Sequence, residues 1–263
     1  MLLILVDNQK LYSICITNYN SNNSIRPSID SIYPLLVDEK FESVVIDNFS
    51  SDGSFEYLSD LFNKKIITYL ISLKCNRGIG RNQAYKHSSG QYIIANIDTD
   101  VIYDHKKILS AIGEYHSRFE GKVLSVYGMM IIPYKIANLL HGWKNLDRHE
   151  DNEIALNAFV HNLHAQDLSI NVVKEHLNRD RDLMSRFKAR YQHYRDFMRL
   201  GYRPSDANIG ELFKLEFILA LFFYRLKPNF RYEEFSDYFK IWKSQIVYGE
   251  VNKTLEKAKE NFN

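Results

Sequence analysis

The sequence predicts an α/β protein in which a parallel-rich mixed sheet with crossover helices is followed by a helical C-terminal extension. Three observations predict it. Short apolar runs alternate with helix-like segments from Tyr12 to Ile132, the pattern of consecutive βα units. Polar residues stand where the apolar runs end, at the edge of an open sheet where connecting loops converge. After Pro133 the apolar residues recur at steps of three and four, the spacing of one helix face.

Taken in order, strands are expected at Tyr12–Thr17, Ser43–Asp47, Ile66–Ile71, Tyr92–Ile97 and Val123–Ile132. Helices are expected between them at about Ile25–Val37, Ser54–Phe62, Arg81–Ser88 and His105–Arg118. Ser51 and Asp52 precede the second helix as good N-cap types. Beyond Pro133 the chain reads as helical. Between Arg179 and Leu200, Leu183, Phe187, Tyr191, Tyr194 and Met198 form an apolar stripe, and Arg181, Ser185, Lys188, Gln192, Arg195 and Arg199 occupy another face. A further apolar helix runs from Glu211 to Leu226 and stops at Lys227-Pro228, because proline cannot continue a helix. A charged helix is expected from Val251 to the end.

Composition narrows the class. Of 263 residues, 45% are hydrophobic and 25% charged, which fits an ordinary globular protein and excludes disordered or collagen-like chains. A net charge of +2 gives no reason to expect nucleic acid as a partner. Cys15 and Cys75 are too few for a disulfide scaffold and are expected to be reduced core residues of a cytoplasmic protein. The apolar start Met1–Val6 breaks at Asp7 without a basic flank, so no signal peptide is expected. Phe217–Tyr224, the longest later apolar run, is far short of a bilayer span.

The chemistry concentrates at four places: Thr17-Asn18-Tyr19, Asp47-Asn48, Cys75-Asn76-Arg77-Gly78 and Asp98-Thr99-Asp100. In the last, two carboxylates leave a strand together and can converge on one hard cation beside a diphosphate. The competing reading is an acidic turn that caps the helix starting near His105. Asp47 can accept a hydrogen bond from a base, whereas Asp52-Gly53 reads as a turn that caps the next helix. Asn76 to Asn82 lacks the third glycine of a dinucleotide fingerprint, since Gln83 stands there. It remains a glycine turn flanked by Arg77 and Arg81, suited to a diphosphate, to a metal-site aspartate, or to solvent. Gly142-Trp143 leads to Arg148-His149-Glu150-Asp151, where a helix begins. A carboxylate at that start can act as a general base or can simply stabilise the helix end.

In this order and spacing the segments resemble the family 2 glycosyltransferases of the GT-A fold. The matching text is Ser13 to Asn20, Val45 to Ser54, Asn76 to Asn82, Ser89 to Asp100 and Gly142 to Asp151. The resemblance implies a Rossmann-like catalytic domain over residues 1–175, which binds a nucleotide sugar, and a helical extension over 176–263. It implies that Thr17, Asn18 and Tyr19 line the nucleotide pocket and that Asp47 contacts the base. Asn76, Arg77, Gly78, Arg81, Asp98, Trp143 and Glu150 would complete the donor site. Asp98 and Asp100 would hold Mn²⁺ or Mg²⁺, joined by a later histidine, with His176 chosen over His161 and His164. Asp151 would be the base of an inverting transfer to a hydroxyl on a saccharide, lipid-linked or protein-linked acceptor. Two alternatives remain: transfer to a polyprenyl phosphate, and a non-catalytic module that only binds nucleotide sugars.

Between Lys174 and Arg203 there are nine Lys or Arg against four Asp or Glu. With the aromatic helix that follows, this stretch either rests on the anionic inner face of a membrane or is a solvated helix face.

Overall fold

The structure, a computed structural model, describes residues 10–177 and 182–226. Its centre is a seven-stranded sheet in the order β3-β2-β1-β4-β7-β6-β8. Strands β1 (Tyr12–Asn18), β2 (Phe41–Asp47), β3 (Tyr69–Ser72) and β4 (Tyr92–Asp98) are parallel to their neighbours in this group. They are joined by α1 (Asn22–Leu36), α2 (Ser54–Asn63) and α3 (Arg77–Lys86). Next come β5 (Val101–Tyr103), α4 (His105–Glu114) with a π turn at Tyr115–Phe119, β6 (Val123–Tyr127), β7 (Met129–Pro133) and α5 (Tyr134–Leu139). The chain goes on through α6 (Glu150–Val160), β8 (His164–Asn171), β9 (Val173–His176), α7 (Leu183–Arg199), α8 (Ile209–Leu212) and α9 (Leu215–Leu226). β7 is antiparallel to β4 and β6, β8 is parallel to β6, and β5 pairs with β9 in a separate antiparallel ribbon.

Helices cover both faces of the parallel strands, which is why these strands are apolar at consecutive positions instead of alternating. Successive side chains of a strand point to opposite faces, and the two apolar clusters follow that rule. Ile14, Ile16 and Val45 pack with Ile25, Ile29 and Ile32 of α1 and with Ile108 and Ala111 of α4. On the other face, Cys15, Val44 and Ile46 join Tyr85, Trp143, Ile154 and Phe159. Full burial of each isoleucine contributes about 1.5–3 kcal/mol relative to exposure. Tyr194, Met198 and Phe217, from α7 and α9, belong to this second cluster, so the C-terminal helices share a core with the sheet.

Four sequence expectations need correction. Val123–Ile132 is two strands, because the chain reverses at Gly128, whose φ of +99° suits glycine. β3 begins at Tyr69 because Ile66 and Ile67 close the turn after α2 through bonds to the Leu61 carbonyl. The region after Pro133 is not wholly helical, since β8 and β9 lie within it. Finally, the apolar stripe of α7 is buried only toward its C-terminal end: Tyr194 and Met198 are covered, whereas Leu183 is 85% exposed. Met1–Val6, Lys227-Pro228 and the charged helix from Val251 lie outside the described residues. Among the described residues no helix is long and apolar enough to cross a membrane.

Candidate active site

Parallel pairing puts the carboxyl ends of β2, β1 and β4 side by side. Asn18 is in register with Asp47, and Thr17 with Asp98. Asn18 is the buried hub of this rim. Its Nδ2 donates to Asp47 Oδ1 (2.7 Å), Ser54 Oγ (3.1 Å) and Ser50 Oγ (3.2 Å), and its Oδ1 accepts from Thr99 Oγ1 (3.1 Å) and from Ser21. Asp47 Oδ2 accepts from the Ser50 amide at 2.9 Å and from Ser72 Oγ at 3.4 Å. Asp47 is fully buried, with one oxygen engaged by Asn18 of β1 and the other by Ser50 of its own loop and Ser72 of β3. Thr17 is half-buried at the same rim and Tyr19 is 53% exposed beside it. Asp52 accepts from Ser54 Oγ at 2.6 Å and from the Asn22 amide at 2.8 Å, which joins the starts of α1 and α2.

The segment from Asn76 to Asn82 is not a turn: Arg77 onward is helix α3, with Asn76 as its N-cap. Asn76 Oδ1 accepts from the Ile79 amide at 2.9 Å, and its Nδ2 donates to Asn145 Oδ1 at 2.6 Å. Gly78 is required because a Cβ there would sit 2.1 Å from the Lys144 carbonyl oxygen. The same amide donates to the Leu146 carbonyl at 2.9 Å, so loop 143–148 lies directly on the first turn of α3.

One turn on, the two arginines diverge in role. Arg81 is buried; its Nη1 lies 2.9 Å from Glu150 Oε1, and its Nη2 lies 3.2 Å from Asp98 Oδ1. Arg77 is 38% exposed and its Nε stands 3.9 Å from Glu150 Oε1. Burial pushes the Glu150 carboxyl up to about 7, against the pull of Arg81. Both guanidiniums are held charged, Arg77 chiefly by Asp98, and Arg81 by Glu150 and Asp98 against the cost of its burial. Arg81 Nη1 also donates to Asn96 Oδ1 at 2.5 Å. Asn96 lies where the register between β1 and β4 shifts and has a φ of +67°, a bulge that re-aims a strand side chain toward a site.

The Asp98-Thr99-Asp100 triplet links β4 to β5 and does not cap α4. That task belongs to Asp104, which accepts from the Lys106 and Lys107 amides at 3.1 and 3.3 Å. The β5–β9 ribbon brings His176 opposite Val101, and the Leu177 amide donates to the Asp100 carbonyl at 2.8 Å. His161 instead bonds the Asn157 carbonyl at the end of α6, and His164 is buried against Ser125. Among the described residues no three or more His, Cys, Asp or Glu side chains gather as a metal-ion cluster. A cation shared with a diphosphate needs only one or two protein carboxylates, and the hard oxygens of Asp98 and Asp100 are of the right kind.

Asp151 lies in the first turn of α6 and lines a cavity of about 170 Å³ with Asn96, Ser125, Asn152, His164 and Gln166. His149, which precedes α6, has a left-handed φ of +60°. Trp143 is not at the surface: it is 3% exposed and packs against Tyr85, with ring centroids 6.1 Å apart.

The profile of the family described as glycosyl transferase family 2 matches residues 13–162, more than half of the chain. The chain belongs to glycosyl transferase family 2. An uncharacterized glycosyltransferase, YfnE of Bacillus subtilis, is 36% identical over 92 residues, which are 34% of this chain and 23% of that protein. Among solved structures, S. aureus TarS 1–349 in complex with UDP-GlcNAc matches at a TM-score of 0.57 and 17% identity, over 81% of this chain and 72% of that one. In another S. aureus TarS structure the matched share is 43% of that chain, so this chain spans less than half of it. The mannosyltransferase PcManGT from Pyrobaculum calidifontis, in complex with GDP-Man and Mn²⁺, matches at a TM-score of 0.56 and 14% identity, over 91% of this chain and 81% of that one. The fold is accordingly GT-A, the mixed α/β class expected from the sequence.

In this family 2 chain, three polar residues near the site went unread in the sequence. Asn96 carried a signal, a lone amide inside the apolar strand Ile93-Ile94-Ala95-Asn96-Ile97. Gln166 sits on a strand that was not expected. Asp196, fully buried in α7, was hidden among the charged residues of a helix.

Proposed function

We propose that this chain is an inverting glycosyltransferase that moves a sugar from a nucleoside-diphosphate sugar to an acceptor hydroxyl, assisted by Mg²⁺ or Mn²⁺. The observation that carries the reading is the buried Arg81 guanidinium, which bridges Asp98 at the end of β4 and Glu150 at the start of α6. It ties Asp98, one of the two expected metal-side carboxylates, to the start of α6, where the expected base Asp151 follows Glu150. The presence of UDP-GlcNAc in one structural neighbour, and of GDP-Man with Mn²⁺ in another, supports the same reading.

In this proposal Thr17, Asn18 and Tyr19 border the nucleotide, and Asp47 shapes the base pocket through Asn18 and Ser50. Asn76, Arg77 and Gly78 stand at the positive end of α3, where backbone dipoles favour an anion such as a diphosphate. Arg81 and Glu150 set the position of Asp98, and Trp143 supports the floor beneath loop 143–148. Asp98 and Asp100, with His176 alongside, would supply ligands for the cation, which offsets charge on the departing diphosphate. Asp151 takes the proton of the acceptor hydroxyl while that oxygen bonds to the anomeric carbon. The bond from that carbon to the diphosphate oxygen breaks in the same step, with its electron pair leaving on the nucleoside diphosphate.

The cavity beside Asp151 favours a hydroxyl acceptor over a polyprenyl phosphate. Besides Asp151 and five apolar residues, its described lining offers amides, a hydroxyl and an imidazole but no lysine or arginine to hold a phosphate. Residues 1–175 would form the donor domain and 176–263 the extension. Peripheral contact with the inner membrane face would fall to α9, where Ile218, Phe222 and Phe223 are exposed; vesicle flotation of the whole chain tests this.

The decisive experiment compares Asp151→Asn with the parent protein on both acceptor classes, using a panel of nucleotide sugars with Mn²⁺. Loss of about 10²–10⁴-fold in transfer to a hydroxyl, with donor binding retained, is expected for removal of a general base. Undiminished transfer would overturn the assignment. Absence of turnover in the parent protein, despite donor binding, would favour the non-catalytic module.

A further inference from the structure

Helix α7 lies beyond the segment that matches the family, yet it holds the loop leading to Asp151 at consecutive positions. Asp196 Oδ2 accepts from the backbone amides of Asp147 (2.9 Å) and Arg148 (3.0 Å). Its Oδ1 accepts from Arg195 Nε at 2.7 Å and from Arg199 Nη1 at 3.3 Å. Arg195 Nη2 also reaches the Asp147 carboxylate at 2.6 Å, and Arg199 donates to the Asn145 carbonyl at 3.4 Å. One residue further on, His149 Nε2 shares a hydrogen bond of 2.8 Å with His193 Nδ1, and its ring lies 4.2 Å from that of Phe197. The other nitrogen of His149 pairs with Asn152 Nδ2 at 2.8 Å.

The physics of these contacts points to positioning. A wholly buried carboxylate is costly unless its charge is paired, and Asp196 is paired by two guanidiniums while its second oxygen grips two successive amides. Charge-assisted bonds of this kind are shorter and stronger than neutral ones. They are spent on a loop whose last residue is left-handed, a conformation that costs a non-glycine residue about 1–2 kcal/mol. On its opposite side the loop rests on Gly78 and Asn76 of α3. Held from both sides, residues 145–149 cannot slide, and they set where α6 begins.

We propose that Asp196 and His193 of α7 are positioning residues that orient Asp151 toward the acceptor cavity by fixing residues 147–149. The inference rests on the reading of Asp151 as the base. The C-terminal extension then completes the active site as well as covering the sheet. A displacement of about 1 Å in a reacting group costs on the order of 10²-fold in rate, so a modest release of the loop has a large effect.

The test is a double-mutant cycle on the full chain, with kcat, donor KM and the pH profile measured for Asp196→Asn, Asp151→Asn and the pair. Asp196→Asn keeps the side-chain shape but places amide hydrogens against either the loop amides or the guanidiniums. It should lower kcat by roughly 10–100-fold, with the donor KM changed by no more than about twofold. In the Asp151→Asn background the same substitution should cost nothing further, because there is no base left to misplace. A multiplicative loss on both backgrounds would show that Asp196 acts only on overall stability and would overturn the proposal. If Asp151→Asn alone leaves transfer intact, the base reading fails and this inference falls with it. Should Asp196→Asn not fold, His193→Phe serves in its place. It keeps the ring against Phe197 but loses the bond to His149, and the same cycle with Asp151→Asn decides the question.

Discussion

Arg81 Nη1 stands 2.9 Å from Glu150 Oε1, with both side chains buried beneath the rim of the sheet. This contact joins the third helix to the sixth and, with the Arg81–Asp98 pair, ties the end of β4 to the start of α6. Its energetics are asymmetric. Removal of one partner of a buried ion pair leaves the other charge without compensation and costs about 3–5 kcal/mol.

Arg81→Met should therefore be strongly destabilised, and the deficit should depend on pH in a definite direction. Burial already raises the Glu150 carboxyl from its ordinary value to about 7, and loss of Arg81 raises it further. When the folded-state pKa of an acid exceeds the unfolded one, the folded state binds more protons between the two values, so stability falls as pH rises. Urea unfolding at pH 5 and pH 8 should show a smaller deficit for Arg81→Met at pH 5. An equal deficit at both would mean that Glu150 is not the group left unpaired.

Asp100→Ala should abolish metal-dependent binding of a nucleoside diphosphate while leaving the fold intact. It removes one of the two carboxylates proposed to hold the cation and opens no large cavity, because Asp100 lies partly exposed in the turn between β4 and β5. Calorimetric titration with UDP and GDP, each with and without Mn²⁺, provides the check. Unchanged affinity and unchanged metal dependence would move the cation away from the triplet.

The rim of the sheet could be read from the sequence because β1, β2 and β4 announce themselves locally. Each carries three consecutive apolar residues, Ile14–Ile16, Val44–Ile46 or Ile93–Ala95, shortly before Asn18, Asp47 or Asp98, and parallel strands covered on both faces have that signature. β8 and β9 have no such mark. His164-Ala165-Gln166-Asp167-Leu168 and Val173-Lys174-Glu175-His176 are mostly polar, since both strands lie at the border of their sheets and are held there by backbone pairing with β6 and β5. Arg81 was visible as one of two arginines, but only the packing of α3 shows that it turns inward while Arg77 stays half-exposed. Asp196 was invisible for a related reason. Helical periodicity sorts apolar faces from polar ones, and a carboxylate buried because it accepts from the backbone of a distant loop falls outside that logic.

Gly78→Ala tests the contact between α3 and loop 143–148. Its Cβ would meet backbone atoms, the Lys144 carbonyl at 2.1 Å and the Leu146 amide at 2.8 Å, so no side-chain rotation relieves it. Overpacking of this kind costs about 1–3 kcal/mol. The loop must then move off α3 and carry the start of α6 with it. Denaturant unfolding should show the loss of stability, and transfer activity measured below the unfolding transition should also fall. Retention of full activity in the folded variant would show that the loop tolerates displacement.

His164 gives the last prediction, in the acid range. Burial holds its imidazole down to about 4 from the ordinary value of about 6.5, and the charge of Lys122 acts in the same direction. Its Nε2 shares a 3.0 Å hydrogen bond with Ser125 Oγ, and its Nδ1 has no hydrogen-bond partner among the described residues. Above pH 6.5 the ring is neutral in both states and contributes no pH dependence. Between 6.5 and 4 the unfolded chain takes up the proton first, so stability falls as pH drops, by about 3 kcal/mol across the window. His149, whose imidazole is also depressed by burial and by the neighbouring His193, adds to the same trend. His164→Gln removes one titrating group and keeps a polar side chain against Ser125. Its unfolding free energy between pH 7.5 and 4.5 should decline less steeply than that of the parent protein. An identical slope in the two proteins would mean that the buried imidazole takes up its proton as readily folded as unfolded.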